Sequence, residues 1–211
     1  MAKITKRIRG VAVSPVDGLS TMVYILLCEG GLILIDVGFT PLCIANIEAE
    51  LHDIGETWES IKLILITHAH GDHIENLQKV LELTGHPEVM LGVGDMKALK
   101  EQTTIEANMG LEQGDLISAC GGIEIISVPG HSAGNLTYYL REEKAMIVGD
   151  TIFGDDNGNL FAPPTKYSDD ADMAKREIRK LLDYDFDKVL LAHGKNILRN
   201  AKEQVEKLVN A

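Results

Sequence analysis

The sequence predicts an α/β fold made of two mixed β-sheets with helices on the outer faces. Three observations carry that prediction. Short, almost wholly apolar runs recur along the 211 residues, as strands buried on both faces require. Segments of helical period separate these runs in the first third and close the chain. Four further strand patterns crowd between residues 115 and 149, split only by Gly-Gly or charged turns. Layering buries each of these apolar faces, and a chain of this length fits a single domain, 1–211, with its own core.

Taken in order, TMVYILLCE (21–29) and GLILIDVG (31–38) are strands joined by a Glu29-Gly30-Gly31 hairpin turn. Thr40-Pro41 reads as an N-cap with proline at the first helical position, and Ile44, Ile47, Leu51 and Ile54 keep the helical period. KLILIT (62–67) is a buried strand, and the helix after it presents Ile74, Leu77, Leu81 and Thr84 on one face. EVMLGVG (88–94) is another strand, while 95–114 holds a short helix and irregular loop. DLISA (115–119), IEIISV (123–128), LTYYL (136–140) and KAMIVG (144–149) follow as strands. The loop GDDNGNLFAPPTKYS (154–168) carries Gly, Asn and a Pro pair. Ser168 stands where a cap is expected for a helix burying Ala174, Ile178, Leu181 and Leu182. KVLLAHG (188–194) is the last strand, and a helix with Ile197, Ala201, Val205, Leu208 and Val209 on its apolar face ends the chain.

Composition narrows the function classes. A formal net charge of −12 without a basic stripe works against a nucleic-acid backbone as partner. No run of eighteen apolar residues exists, so no membrane span is expected. The opening MAKITKRIRGVAV is basic but lacks the apolar stretch and cleavage site of a secretory signal. Cys28, Cys43 and Cys120 are odd in number and lack C-x-x-C spacing. They read as small buried hydrophobes rather than a disulfide or a thiolate metal site, and point to a reducing cytoplasm. Oligomeric state is left open, a homodimer being one option.

One stretch stands apart. IKLILITHAHGDHI (61–74) places His68, His70, Asp72 and His73 within six positions, in a chain of seven histidines. His68 and His70 lie two apart on an extended segment and project to one side. Gly71 permits a tight turn that brings Asp72 and His73 to a neighbouring point, giving two pairs of ligands for two adjacent cations. Three other strand ends offer more: His131 after 123–128, Asp150 after 144–149, and His193 after 188–192. One histidine at a strand end would mean little; five of seven in this arrangement mean a metal site. His52 and His86 are left over and read as exposed.

The set THAHGDH, PGHSAG, GDT and AHG resembles the metallo-β-lactamase superfamily, over essentially the whole chain from about residue 10. The resemblance implies a four-layer αββα sandwich. It implies His68, His70 and His131 as ligands of a first metal, and Asp72, His73 and His193 as ligands of a second. Asp150 bridges them, and Asp36 stands behind the site, holding a ligand imidazole in the right tautomer. Imidazole and carboxylate without thiolate suit two divalent ions, Zn first, with Fe or Mn compatible. Seven ligands over two metals leave positions open for water and substrate, so the site is catalytic rather than structural.

A bridging hydroxide attacking a carbonyl carbon then makes the chain a hydrolase of a small acyl ester or thioester substrate, with Asp72 also orienting the nucleophile. The run GHS-x-G and GDT-I-F-G is similar to hydroxyacylglutathione hydrolases, the glyoxalase II-like branch. Eighteen residues follow His193, so the helical extension of that branch is expected to be missing. A lactonase is the alternative, weakened because Phe153 stands where Tyr is expected. A sulfur dioxygenase using one iron on His68, His131 and Asp150 is the reading from another class. Phe161, Lys166 and Tyr167 are the substrate-contact candidates at the mouth, with Met22 and the turn SPVDGLS (14–20) opposite.

Overall fold

The structure is a computed structural model that describes residues 2–12 and 21–211. The turn at 14–20 lies outside the described residues. Seven strands come first: β1 (Ala2–Lys3), β2 (Ile8–Ala12), β3 (Met22–Cys28), β4 (Gly31–Ile35), β5 (Ile61–Leu65), β6 (Glu88–Gly92) and β7 (Met109–Leu111). They form one sheet in that same order, antiparallel from β1 to β4 and parallel from β4 to β7. Next come β8 (Leu116–Ile117), β9 (Ile123–Ser127), β10 (Leu136–Leu140) and β11 (Ala145–Ile147), a two-stranded hairpin of β12 (Phe153–Gly154) and β13 (Leu160–Phe161), and β14 (Lys188–Leu190). The second sheet runs β14-β11-β10-β9-β8.

Alternation of side chains along the strands sorts the core into three layers. Between the sheets, Tyr24, Leu26, Ile33 and Ile35 meet Ile123, Ile125, Tyr138, Leu140 and Ile147. On the outer face of the first sheet, Val23, Ile25, Leu32 and Leu34 pack on α1 (Pro41–Asp53), α3 (Leu77–Thr84) and α4 (Met96–Thr103) through Ile47, Leu51, Leu77, Val80, Leu81 and Leu99. Beyond the second sheet, Ile126, Met146, Val148 and Val189 meet Ile178, Leu181, Ala201 and Val205 of the closing helical segments. Helix, sheet, sheet, helix is the expected order of layers.

Several local expectations need correcting. Cys28 and Cys120 are joined as a disulfide across a sequence separation of 92, tying the end of β3 to the turn before β9; only Cys43 is a free buried thiol. Spacing rules fail here because the partners come from different sheets and meet only in the fold. The reducing compartment inferred from the cysteines thereby loses its basis. Asp170, not Ser168, caps α5 (Ala171–Glu177), its side chain accepting from the Met173 N–H at 2.8 Å. Ile197 pairs with Val189 as a β-bridge instead of opening the last helix, which is α6 (Ala201–Val209). No described helix is long and apolar enough to cross a membrane.

Candidate metal centre

All the candidate ligands gather at one end of the sandwich because the strands that feed them run in the same direction. β4 and β5 are parallel, as are β11 and β14, and β9 lies antiparallel to β10, which is antiparallel to β11. β4 delivers Asp36 and β5 delivers the segment 66–70. The short helix α2 (Gly71–Ile74) follows with Asp72 in its first turn and His73 buried. β9 leads to His131, β11 to a turn holding Asp150, and β14 to His193. Gly149 sits at φ +49 in that turn, where a Cβ would collide with the Thr67 side chain.

The nitrogens form two groups. His68 Nε2, His70 Nδ1 and His131 Nε2 lie 3.0, 2.9 and 3.1 Å from one another. Asp72 Oδ2 lies 3.5 Å from His73 Nε2 and 3.2 Å from His193 Nε2. Asp150 stands between the groups and turns one oxygen to each. Its Oδ2 is 3.2 Å from His131 Nε2 and 3.9 Å from His68 Nε2; its Oδ1 is 3.3 Å from His73 Nε2 and 3.2 Å from His193 Nε2.

The backs of three of the rings, His68, His73 and His131, are tied down. Asp36, buried and in the left-handed region at φ 60, accepts from the Thr67 N–H at 2.8 Å and the Thr67 hydroxyl at 2.9 Å. Its Oδ2 also accepts from His73 Nδ1–H at 2.8 Å, which aims His73 Nε2 into the centre. The Thr67 oxygen lies 3.1 Å from His68 Nδ1 and accepts its proton, leaving a lone pair on Nε2. Ser168 Oγ is 3.4 Å from His131 Nδ1 and donates to Pro164 O at 3.2 Å. Sequence reading found Asp36 but missed Thr67 and Ser168, whose roles at the site depend on Asp36 and His131, 31 and 37 positions away.

These residues fit divalent cations. His73 Nε2 and Asp150 Oδ1 are buried without a hydrogen-bond partner, although buried polar atoms nearly always have one. Three imidazole nitrogens within about 3 Å of each other cannot all be satisfied by ring protons, whereas Zn–N bonds of about 2.0–2.1 Å bring ligand nitrogens to roughly that spacing. The groups able to hold an ion are His68 with His70 and His131, His68 with His73 and Asp150, and Asp72 with His73 and His193.

The groups differ in charge. Burial holds His68 and His70 below the ordinary imidazole value, with neighbouring imidazoles adding to the effect. Burial also opposes charge on His73 and His193, but the carboxylates outweigh it. Asp36, Asp150 and Asp72 push His73 well up, and Asp150 and Asp72 raise His193 to about 9. Burial would raise the two ligand carboxyls, yet the facing imidazoles win, taking Asp72 down to about 2 and Asp150 well below the usual range.

The centre opens into a cavity of about 650 Å³ walled by Phe39, Phe153, Lys166 and Tyr167, with His70, Asp72, His131, Asp150 and His193 at its base. Lys166 Nζ lies 4.3 Å from the Tyr167 ring centre. Phe161 does not line this cavity; it stacks on Phe153, centroids 6.1 Å apart, and Phe153 in turn stacks on His193 at 5.0 Å.

Residues 16–193 match the profile of the metallo-beta-lactamase superfamily. Among curated proteins, the chain is 33% identical over 109 residues to a hydroxyacylglutathione hydrolase of Synechococcus sp., covering 48% of this chain and 40% of that one. It is 29% identical over 142 residues to the hydroxyacylglutathione hydrolase of Francisella philomiragia, covering 66% and 50%. The chain thus spans about half the length of these relatives or less. Among solved structures, a metallo-beta-lactamase family protein of Thermus thermophilus superposes with a TM-score of 0.77 at 19% identity, covering 99% of this chain and 80% of that one. A flavo di-iron protein of Thermotoga maritima gives 0.75 at 17%, covering 91% and 52%. Likeness at this identity speaks for the fold alone.

Proposed function

The chain belongs to the metallo-beta-lactamase superfamily, and from that premise we propose that it is a dinuclear metal-dependent hydrolase of small acyl thioesters or esters. One observation carries the reading: Asp150 turns Oδ1 and Oδ2 to two separate ligand groups and would thus be shared between two cations. His68, His70 and His131 hold the first cation, Asp72, His73 and His193 the second. Zn suits the donor set best, with Fe or Mn compatible. When bound, the pair supplies Lewis acidity, polarising an acyl carbonyl and bringing the pKa of a water to about 7.

The chain's own groups do the rest. Asp72 is ionised at neutral pH and faces the cavity, so its carboxylate accepts from the attacking water and orients it. Thr21 Oγ donates to Asp72 Oδ2 at 3.3 Å and fixes that carboxylate. Asp36 holds His73 in the tautomer a ligand needs. Lys166 and Tyr167 contact the substrate at the mouth, and Phe161 acts through Phe153 by closing the aromatic wall.

The thioester reading draws support from the hydroxyacylglutathione hydrolases at about 30% identity. The lactonase alternative is weakened because Phe153, stacked flat on His193, has no hydroxyl to offer a ring oxygen. A single-iron dioxygenase would leave Asp72, His73 and His193 without a task, yet they converge with the Asp72 carboxylate ionised. The test is a panel of thioesters, lactones and phosphodiesters on metal-loaded protein. Preference for thioesters is expected, and preferential phosphodiester turnover contradicts the acyl reading.

A further inference from the structure

Asp95 is a buried carboxylate, 2% exposed, at the start of the segment 95–114 that reads from sequence as a short helix and irregular loop. It occupies the N-cap position of α4, where an aspartate ordinarily accepts from its own helix, but its side chain makes no capping bond. The carboxylate reaches instead to the loops that carry the first ligand group. Oδ2 accepts from the Ala69 N–H at 2.9 Å and from Ser132 Oγ at 2.7 Å; Oδ1 accepts from the Gly134 N–H at 2.7 Å. Ala69 lies between His68 and His70, and Ser132 directly follows His131.

The surroundings are built to keep that carboxylate in place. The backbone at 92–95 presses against 133–134 so closely that a Cβ at Gly92 would overlap the Gly134 carbonyl, and one at Gly134 would overlap the Asp95 amide. Gln102 of α4 donates to Ala69 O at 2.7 Å, so both backbone polar groups of Ala69 are held by side chains of one segment. Past β5 the chain has left the sheet ladder at Ala69, and such a buried amide needs a partner. The hydrogen bonds that Asp95 and Gln102 make to these loops end on Ala69, Ser132 and Gly134, beside the first ligand group.

We propose that Asp95 is the positioning residue of the first cation group. By holding Ala69 and the turn 132–134 on one carboxylate, it sets the approach of the His68 and His70 nitrogens to that of His131. The inference rests on the two-cation reading above. All three partners are donors, so an asparagine can satisfy only one side. With Oδ1 facing Ala69 and Ser132, its Nδ2–H₂ meets the Gly134 N–H head-on, and the two loops part.

The test is Asp95→Asn, with Zn²⁺ binding to metal-free protein followed by competition against a chromophoric chelator, and folding checked by thermal melting of the metal-free form. Wild type is expected to bind two equivalents. Asp95→Asn is expected to weaken one of them by about 10–100-fold, as loss of a ligand-supporting group does, and to leave the other unchanged. Assignment follows from His131→Ala, which removes the same equivalent, and His193→Ala, which removes the other. A carboxylate that only stabilises the fold would lower the melting temperature without changing the ratio of the two affinities, and that result overturns the proposal. If wild type binds fewer than two equivalents, the two-cation reading fails first and takes this inference with it. Should Asp95→Asn not fold, Ser132→Ala carries the test: it deletes one of the three bonds, and a several-fold selective loss at the same equivalent is expected. Unchanged affinities there overturn the proposal.

Discussion

The two ligand groups of the centre share residue types and lie side by side, yet they differ in what a cation meets on arrival. His68, His70 and His131 face one another with a single oxygen of Asp150 nearby, and burial keeps His68 and His70 neutral. His73 and His193 stand among Asp36, Asp72 and Asp150, and these carboxylates keep both rings protonated near neutral pH in the metal-free chain. An imidazole's readiness to bind metal is therefore set less by the imidazole than by the carboxylates around it. His68 and His70 offer lone pairs at once; His73 and His193 must expel protons.

The largest effect comes from the residue that both groups share. Asp150→Ala should reduce thioester turnover by on the order of 10³-fold or more at saturating metal, since each cation supplies several kcal/mol to the transition state. Asp72→Ala should do the same through the second group alone. Steady-state kinetics checks both, and unchanged turnover in either variant would sink the scheme.

Next comes pH. In the metal-free chain the His193 proton, held with a pKa of about 9 against 6.5 for a free imidazole, stabilises the fold fully below 6.5. That contribution is lost as pH rises through 9. A second cation displaces this proton and that of His73. Its affinity should therefore climb from neutral pH towards 9, by about tenfold per pH unit for the His193 proton and further for that of His73. His68 and His70 have no proton to lose in that window. Calorimetry in buffers of different ionisation enthalpy should find proton release concentrated in one of the two binding steps; equal release in both would erase the contrast.

Smaller still, Asp36→Asn should weaken the second cation by about 10–100-fold, and the first by less, through the Thr67 hydroxyl that Asp36 shares with His68. Asparagine tolerates the left-handed backbone at this position. Its Nδ2–H would donate to His73 Nδ1 and so move the proton to Nε2, the atom that must bind metal. Equal weakening of both cations would mean that Asp36 supports the fold rather than the His73 ring above all.

Reducing the Cys28–Cys120 disulfide should leave both affinities unchanged. The melting temperature should fall by about 9–18 °C, from roughly 4.6 kcal/mol of chain-entropy stabilisation. A change in metal binding would couple the disulfide to the centre.

What was legible in the sequence follows from how locally each signal is encoded. THAHGDH is read directly because spacing within one turn puts its ligands together, and His131, Asp150 and His193 are found because each ends an apolar run. Thr67 and Asp95 were invisible for the opposite reason. A threonine after a strand, or an aspartate before a helix, has an ordinary local explanation, and only the fold shows their side chains turned toward residues 31 and 26–39 positions away. The disulfide escaped in the same way. Strand cores such as LTYYL were placed to the residue, whereas 154–168 concealed the β12–β13 hairpin, whose two-residue strands are too short to show alternation.

The most direct test of the central claim is to titrate metal-free protein with Zn²⁺ while following thioester hydrolysis. Little turnover is expected at one equivalent, with a rise to full activity as the second is bound. Full hydrolysis with one equivalent, or protein that holds one iron and consumes O₂, would contradict it.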